Sequence, residues 1–128
     1  MQGSRFIFLS RLVPDDSGDS AGEVLTWMLV SPNNRPLGQA AGYFASHHDG
    51  RAAVLRLRQH AADVTAVTTG AAPAGHWVWR VALYGVPVAV STRSYLRQQE
   101  CTYNMRRFLE ALPVAELVAE VRVVRSGR

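Results

Sequence analysis

Two stretches decide the fold, LTWMLVSPNNRPLGQAAGYF at residues 25–44 and WVWRVALYGVPVAVSTRSY at residues 77–95. Each stretch begins as an aromatic strand, passes through a turn and continues as a second strand. A helical pattern follows each of them, at residues 49–61 and 98–112. The same order of elements recurs about 51 residues apart, which indicates a repeated structural unit.

Alignment of the two stretches predicts the architecture. Trp27 corresponds to Trp79, Pro36 to Pro87 and Leu57 to Phe108, with a one-residue slip in the turn, where insertions are tolerated best. A β-rich segment precedes each stretch, at residues 6–9 and 64–68. The prediction is an α+β fold of two β-β-β-α repeats that form one antiparallel sheet with two helices on one face. The repeats would span about residues 5–62 and 63–113, followed by a C-terminal extension at 114–128.

The spacing of apolar residues predicts which faces are buried. Apolar residues alternate along both strands. Leu25, Trp27 and Leu29 would share one face of the first strand, and Trp77, Trp79, Val81 and Leu83 would share one face of the second. The three tryptophans would therefore lie in the core, although tryptophans beside arginines would also suit stacking on nucleic-acid bases. Asn33 and Asn34 in one turn, and Gly85 in the other, suit the left-handed backbone that reverses a hairpin.

Helical spacing and breakers define the remaining segments. Ser46 or Asp49 would cap the first helix. The second helix has one continuous apolar stripe, and Pro113 would end or kink it. Residues 114–120 would add a further helical turn or two before a terminal strand at 121–124. Residues 14–22 and 70–75 are rich in small and polar residues and predict loops. The stripe comprises Cys101, Met105, Phe108, Leu109 and Leu112.

The second stretch resembles a known family, the YegP-like domains, which are small uncharacterised bacterial and archaeal proteins built from β-β-β-α units. The matching residues are Tyr84 to Ser91, then Tyr95, Cys101 and Asn104-Met105. Arg97 and Asn104 stand where the family often has lysine and glycine. The resemblance covers about residues 6–112. It implies a curved sheet with two helices on one face, a tandem chain that is self-sufficient as a monomer, and no established activity, cofactor or catalytic residue.

Composition narrows the class of protein. The chain has 128 residues, 48% of them hydrophobic, and a formal net charge of +4, as expected for one globular domain. All 14 basic residues are arginines, which can donate two parallel hydrogen bonds to a carboxylate or phosphate. A GC-rich coding genome would also explain why arginine takes the place of lysine. The single cysteine, Cys101, excludes an internal disulfide and is expected in the core. We expect a cytoplasmic bacterial protein with no membrane segment.

The candidate binding residues are arginines on and beside the predicted helices. They would form a surface for phosphates or carboxylates, or simply a solvated helix face. The alternative site is a pocket near His47-His48-Asp49, a cluster that suits a helix cap better than a metal site. Ser91 and Tyr95 are expected to have structural roles. The six arginines are Arg56, Arg58, Arg93, Arg97, Arg106 and Arg107.

Three functions follow as hypotheses. The favoured one is a non-enzymatic binding module that recognises an acidic protein or nucleic acid through the arginines. The second is a small enzyme, or a ligand- or metal-binding protein, with its pocket near His47–Asp49. The third is a structural or dimerisation unit. We expect no cofactor, no metal and no catalytic residue, and the chain would be a monomer or a homodimer.

Overall fold

A computed structural model of the chain describes residues 3–14, 21–71 and 76–124. Across these residues, seven strands form one sheet in the order β4-β5-β6-β3-β2-β1-β7, and two helices pack on one face of it. The predicted α+β fold and its two successive β-β-β-α units are confirmed. The strands are β1 Arg5–Pro14, β2 Ala21–Val30, β3 Pro36–Ala40, β4 Val64–Ala71, β5 His76–Leu83, β6 Val86–Val90 and β7 Glu116–Val124, and the helices are α1 His47–Gln59 and α2 Gln98–Ala111.

The predicted hairpin turns form as expected, because left-handed backbone falls where the side chains tolerate it. Asn34 has φ 64° in the β2–β3 turn, while Tyr84 and Gly85 have φ 49° and 81° in the β5–β6 turn. Two consecutive positive φ values match the twist of a two-residue hairpin. The two halves then join through β3 and β6, where Gln39 pairs with Val90 in an antiparallel ladder.

Each half holds the segment before its helix in the same way. Leu25 and Phe44 exchange two backbone hydrogen bonds, of 2.8 Å and 2.6 Å between nitrogen and oxygen. Trp77 and Tyr95 exchange two bonds of 2.8 Å at the corresponding position of the second half. These bridges bring each helix back over the sheet at a fixed distance from the second strand of its own half.

The core forms around tryptophans from both halves. Trp27 and Trp79 are 1% and 0% exposed, and Phe108 of α2 lies against both of them. The Phe108 ring centroid is 6.3 Å from that of Trp27, with the rings 14° from parallel, and 4.8 Å from that of Trp79. Trp77 is partly buried and packs against this cluster. The predicted core role of the tryptophans is confirmed.

The prediction of helical turns over residues 114–120 is wrong, because β7 begins at Glu116. This strand runs parallel to β1, so the sheet is mixed, with six antiparallel strands and one parallel edge strand. The Glu116 N–H donates to the Ser4 carbonyl at 3.2 Å, and Leu117 and Val121 pack against the core. Hydrogen bonds to the free edge of β1 outweigh the weak local preference for a helix.

Element ends differ slightly from the prediction at the first helix. Ser46 rather than Asp49 is the N-cap, and its Oγ accepts a hydrogen bond from the Asp49 N–H at 3.1 Å. The predicted acidic loop and the Gly-rich linker lie largely outside the described residues. Among the described helices, neither has the length and apolar content that would let it span a bilayer.

A tight contact at Gly38 tests the packing of the core. A Cβ at this position would lie 2.7 Å from an atom of the Trp79 ring and would also overlap the Phe108 ring. We expect Gly38→Ala to lower the free energy of unfolding by about 1–3 kcal/mol, because neither ring can move without disturbing the core. Urea unfolding followed by tryptophan fluorescence measures the change.

Gly42→Ala is the matched control, since no atom lies within 4 Å of its added Cβ. The two variants have the same change in chemistry and differ in the space available. Equal unfolding midpoints for the two variants would contradict the packing described here.

Candidate binding clefts between the helices and the hairpin turns

The structure separates the six predicted arginines into two groups. Arg106 and Arg107 are exposed on α2, and Arg93 and Arg97 lie in the segment that leads into it. The other two, Arg56 and Arg58, lie in the last turn of α1. Two of the six arginines thus belong to α1, and four belong to α2 and the segment before it.

A cleft lies between α2 and the hairpin turn of the first half, and we call it the α2 cleft. It has a volume of about 420 Å³. Because α2 belongs to the second half of the chain, the cleft exists only where the two halves meet. Its lining comes from the turn and the start of β3, from Tyr95 and from the exposed side of α2: Arg35, Pro36, Leu37, Tyr95, Gln99, Glu100, Tyr103, Asn104 and Arg107.

Asn104 is held in one orientation at the back of this cleft. Its Oδ1 accepts a hydrogen bond of 2.6 Å from Nε1 of the buried Trp79. An indole N–H can only donate, so the amide oxygen of Asn104 must be the atom that faces it. The NH₂ group at the other end of the amide is therefore the end left for the cleft.

The charged groups of the α2 cleft leave two guanidinium groups available. Among the described residues, the side chains of Arg35 and Arg107 make no ion pair and no hydrogen bond. Glu100 is partly compensated by Arg97, with 4.0 Å between Oε1 and Nε. The lining of two arginines and one glutamate gives the cleft a net positive charge.

Tyr95 forms an ordered wall of the α2 cleft. The guanidinium carbon of Arg93 lies 4.8 Å from the centroid of the Tyr95 ring, within the range of a cation–π contact. Burial raises the pKa of Tyr95, and the nearby positive charge of Arg93 opposes this change only in part. The phenol therefore stays neutral at physiological pH, so it can donate a hydrogen bond. The predicted structural role of Tyr95 at the helix entry agrees with its half-buried position.

A second cleft, the α1 cleft, occupies the corresponding place in the other half. It lies between α1 and the β5–β6 turn, and its volume is about 270 Å³. Its lining residues carry no charge, and Ala53 has the helix position that Asn104 has on α2. The two clefts thus differ in the charged and amide side chains of their linings. The lining residues are Trp27, Ala41, Gly42, Tyr43, Phe44, Ala53, Leu57, Val86, Pro87 and Val88.

The side chain of Arg56 lies near Tyr84 in the β5–β6 turn. Its guanidinium carbon lies 6.0 Å from the centroid of the Tyr84 ring. The Tyr84 hydroxyl donates to Asp63 Oδ2 at 2.9 Å, and His60 Nδ1 is 3.5 Å from the same carboxylate oxygen. Arg58 is half-buried, and its Nε makes no hydrogen bond within the described part of the chain. These arrangements make Arg56 and Arg58 less suited to binding than the α2 arginines.

His47, His48 and Asp49 line neither the α1 cleft nor the α2 cleft. The His47 ring packs edge-on against Phe8, with 4.8 Å between the ring centroids, and Asp49 belongs to the helix cap. The Nε2 atom of His47 is buried without a hydrogen-bond partner in the described residues. Within the same residues, no three His, Cys, Asp or Glu side chains lie close enough to hold a metal ion.

Ser91 and Cys101, whose side chains have the chemistry of a nucleophile, have structural surroundings. Ser91 is buried, and its Oγ accepts a hydrogen bond from the Trp79 backbone N–H at 3.3 Å. Cys101 is 0% exposed, and burial raises the pKa of its thiol. Both side chains thus contribute to the core beneath α2.

The sequence did not identify Arg35, Tyr103 or Asn104 as site residues. Arg35 stands in a turn far along the chain from α2, so only the fold brings it to Arg107. For Asn104 a signal was present, because it is a polar residue that lies between Cys101 and Phe108 beside the apolar stripe of the helix. A polar side chain at such a position needs a buried partner, and Trp79 provides it.

Comparisons with known proteins show the fold. No family model and no curated protein matches the chain. Two solved structures match it along almost their whole lengths. The protein of unknown function yegP from E. coli has a TM-score of 0.62 and 10% identity, and the match covers 100% of this chain and 98% of that one. The UPF0339 protein SO3888 from Shewanella oneidensis has a TM-score of 0.60 and 6% identity, with coverage of 97% and 93%. The resemblance seen in the sequence is therefore confirmed at the level of the fold.

The Tyr84 cluster allows a test by titration. The hydrogen bond to Asp63 raises the pKa of Tyr84, because the carboxylate binds the neutral phenol and repels the phenolate. We expect Asp63→Asn to lower the Tyr84 pKa, measured from the Cζ chemical shift in ¹³C NMR. The raised pKa of Tyr95, which owes nothing to Asp63, should stay as it is in the wild type. A Tyr84 pKa that does not fall would contradict the described hydrogen bond.

Proposed function

We propose that the chain is a non-enzymatic binding module that recognises an acidic segment of another protein through the α2 cleft and the arginines around it. The proposal depends on one observation. Arg35 and Arg107, one from each half of the chain, line the same cleft, and neither side chain has a partner among the described residues. Arg106 lines an adjoining groove with Tyr103, so positive charge continues along α2.

The surroundings of the candidate nucleophiles favour binding over catalysis. A nucleophile needs a base within hydrogen-bond reach, and Ser91 Oγ instead accepts from a backbone N–H. The thiol of Cys101 is buried under α2, away from the α2 cleft lining. The α2 cleft itself presents arginine, amide and phenol groups, which recognise anions and hold them in place.

An acidic protein is favoured over nucleic acid as the partner. Trp27 and Trp79 are buried, so they are not available to stack on bases. The arginines of α1 and α2 do not form one stripe along which a phosphate backbone would run, since Arg56 is directed to Tyr84.

The proposal retains several expectations from the sequence. The chain acts in the bacterial cytoplasm without a cofactor, as a monomer or homodimer. Its repeat boundaries are near residues 5–62 and 63–113, with 114–128 as an extension. The meeting of both halves in one core supports a tandem chain that needs no second copy to complete itself.

Binding of a defined acidic probe tests this function. We expect a synthetic polyglutamate peptide to bind the wild-type chain and the double variant Arg106→Glu/Arg107→Glu to bind it at least roughly tenfold more weakly, a loss of about 1.4 kcal/mol. Isothermal titration at two salt concentrations measures the affinity, which should fall as salt screens the arginines.

The control is Arg51→Glu/Arg122→Glu, which has the same net charge but changes exposed residues on α1 and β7. Equal weakening by both double variants would show that only total charge matters and would overturn the proposal. A single-stranded oligonucleotide is the competing probe. Tighter binding of the oligonucleotide, with a steep dependence on salt, would assign the surface to nucleic acid instead.

A further inference from the structure

We infer that the α2 cleft is a subsite for one glutamate side chain, bound through its carboxylate by Arg35, Arg107 and the amide NH₂ of Asn104. The inference rests on the proposed function and gives it a chemical specificity. It follows from three features of the cleft, which are the fixed amide, the charge of the lining and the apolar wall.

Asn104 supplies a donor whose direction is set before any ligand binds. Trp79 is 0% exposed and donates to Asn104 Oδ1, so turning the amide over would bring two donors together in the core. That arrangement would leave the indole N–H buried without an acceptor. The amide therefore presents its NH₂ to a ligand at no cost in reorientation, which favours an acceptor such as a carboxylate.

The charge of the lining favours an anion. Arg35 and Arg107 contribute two positive charges, and Arg97, which lies 4.0 Å from Glu100, compensates the negative charge of that glutamate. The remaining positive charge attracts a carboxylate. Arginine also matches the planar geometry of a carboxylate, since its guanidinium group can donate two parallel hydrogen bonds.

Apolar groups line the rest of the cleft and would pack on the methylene groups of the glutamate. Leu37 is 4% exposed, Pro36 precedes it, and the ring of Tyr95 is half-buried. The volume of about 420 Å³ exceeds that of one side chain, so neighbouring residues of the segment also fit. The groove on the other side of Tyr103, where Arg106 lies, continues the path for them.

The α1 cleft shows that the fold does not require these donors. Ala53 stands at the helix position of Asn104, and Val86 stands in the turn position of Arg35. Arg56 has the position of Arg107, but it lies against the Tyr84 ring. Because the first half folds with Ala53 and Val86 at two of these places, the backbone fold does not require an amide and a guanidinium group there, and a ligand gives their donors a use.

The experiment uses short peptides and the Trp79 indole N–H as a local reporter. The probe is an N-acetylated, C-amidated Ala-Glu-Ala peptide, and its glutamine counterpart is the control. In ¹H–¹⁵N NMR of the full chain, we expect the glutamate peptide to shift the Trp79 indole resonance and the glutamine peptide to leave it in place. Equal shifts with both peptides would overturn the inference.

Asn104→Asp tests the role of the amide NH₂ apart from that of the amide oxygen. The variant keeps an oxygen for Trp79 but replaces the NH₂ donor with a negative charge, so we expect the glutamate peptide to bind at least about tenfold more weakly. Arg35→Gln provides a second variant at an exposed turn, with Arg51→Gln as its matched control. Unchanged binding by Arg35→Gln, or by a folded Asn104→Asp, would contradict the subsite.

The outcomes distinguish this inference from the proposed function. If Asn104→Asp and Arg35→Gln leave peptide binding intact while Arg106→Glu/Arg107→Glu removes polyglutamate binding, the subsite is wrong and the arginine surface stands. If the arginine double variant has no effect, the proposed function itself is wrong. An acetylated Ala-Ala-Ala peptide with a free C-terminal carboxylate is the last probe. Binding of this peptide alone would assign the cleft to chain ends and would overturn the choice of glutamate.

Discussion

The rest of the structure depends on the contact of Phe108 with Trp27 and Trp79. One ring from α2 lies against a tryptophan from each half of the chain, and all three side chains are buried. Gly38 on β3 makes this possible, because any larger residue would meet two of the three rings. Large aromatic side chains bury more apolar area than other residues, so this cluster contributes a large part of the stability of the domain. It also joins the halves into one core.

The clefts are a consequence of how the halves meet. Each helix packs over the sheet beside the hairpin turn of the other half, so each turn forms one wall of a cleft and a helix forms the other. The backbone plan is the same in both places, but the side chains differ. The α1 cleft has Ala53 and Val86 where the α2 cleft has the amide of Asn104 and the guanidinium group of Arg35. Comparison of the two clefts therefore shows which side chains the shared backbone fold does not require.

Electrostatics and orientation explain why the α2 cleft is the better candidate for binding. The arginines of α1 are directed to Tyr84 or are partly buried, so they have less freedom to meet a partner. In the α2 cleft, two guanidinium groups have no protein partner among the described residues, and the amide of Asn104 is held by a buried indole. A donor that is already held in place loses little entropy when an anion binds. The core therefore positions one donor of the proposed subsite, Asn104, while the two exposed arginines supply the charge.

Features that depend on residues close together in the chain could be predicted from the local sequence. They are the buried faces of β2 and β5, the left-handed turns at Asn34 and Gly85, and the apolar stripe of α2. The local sequence also predicted a terminal strand at residues 121–124 but not the first part of β7. Residues 116–120 have no decisive local preference, and the free edge of β1 gives them strand geometry. The same limit applies to the site. Arg107 was identified from its place on a helix. Its position beside Arg35 could not be predicted, because the two residues meet only when β3 pairs with β6 and each turn comes to lie beside the helix of the other half. The division between the arginines of α1 and those of α2 has the same origin.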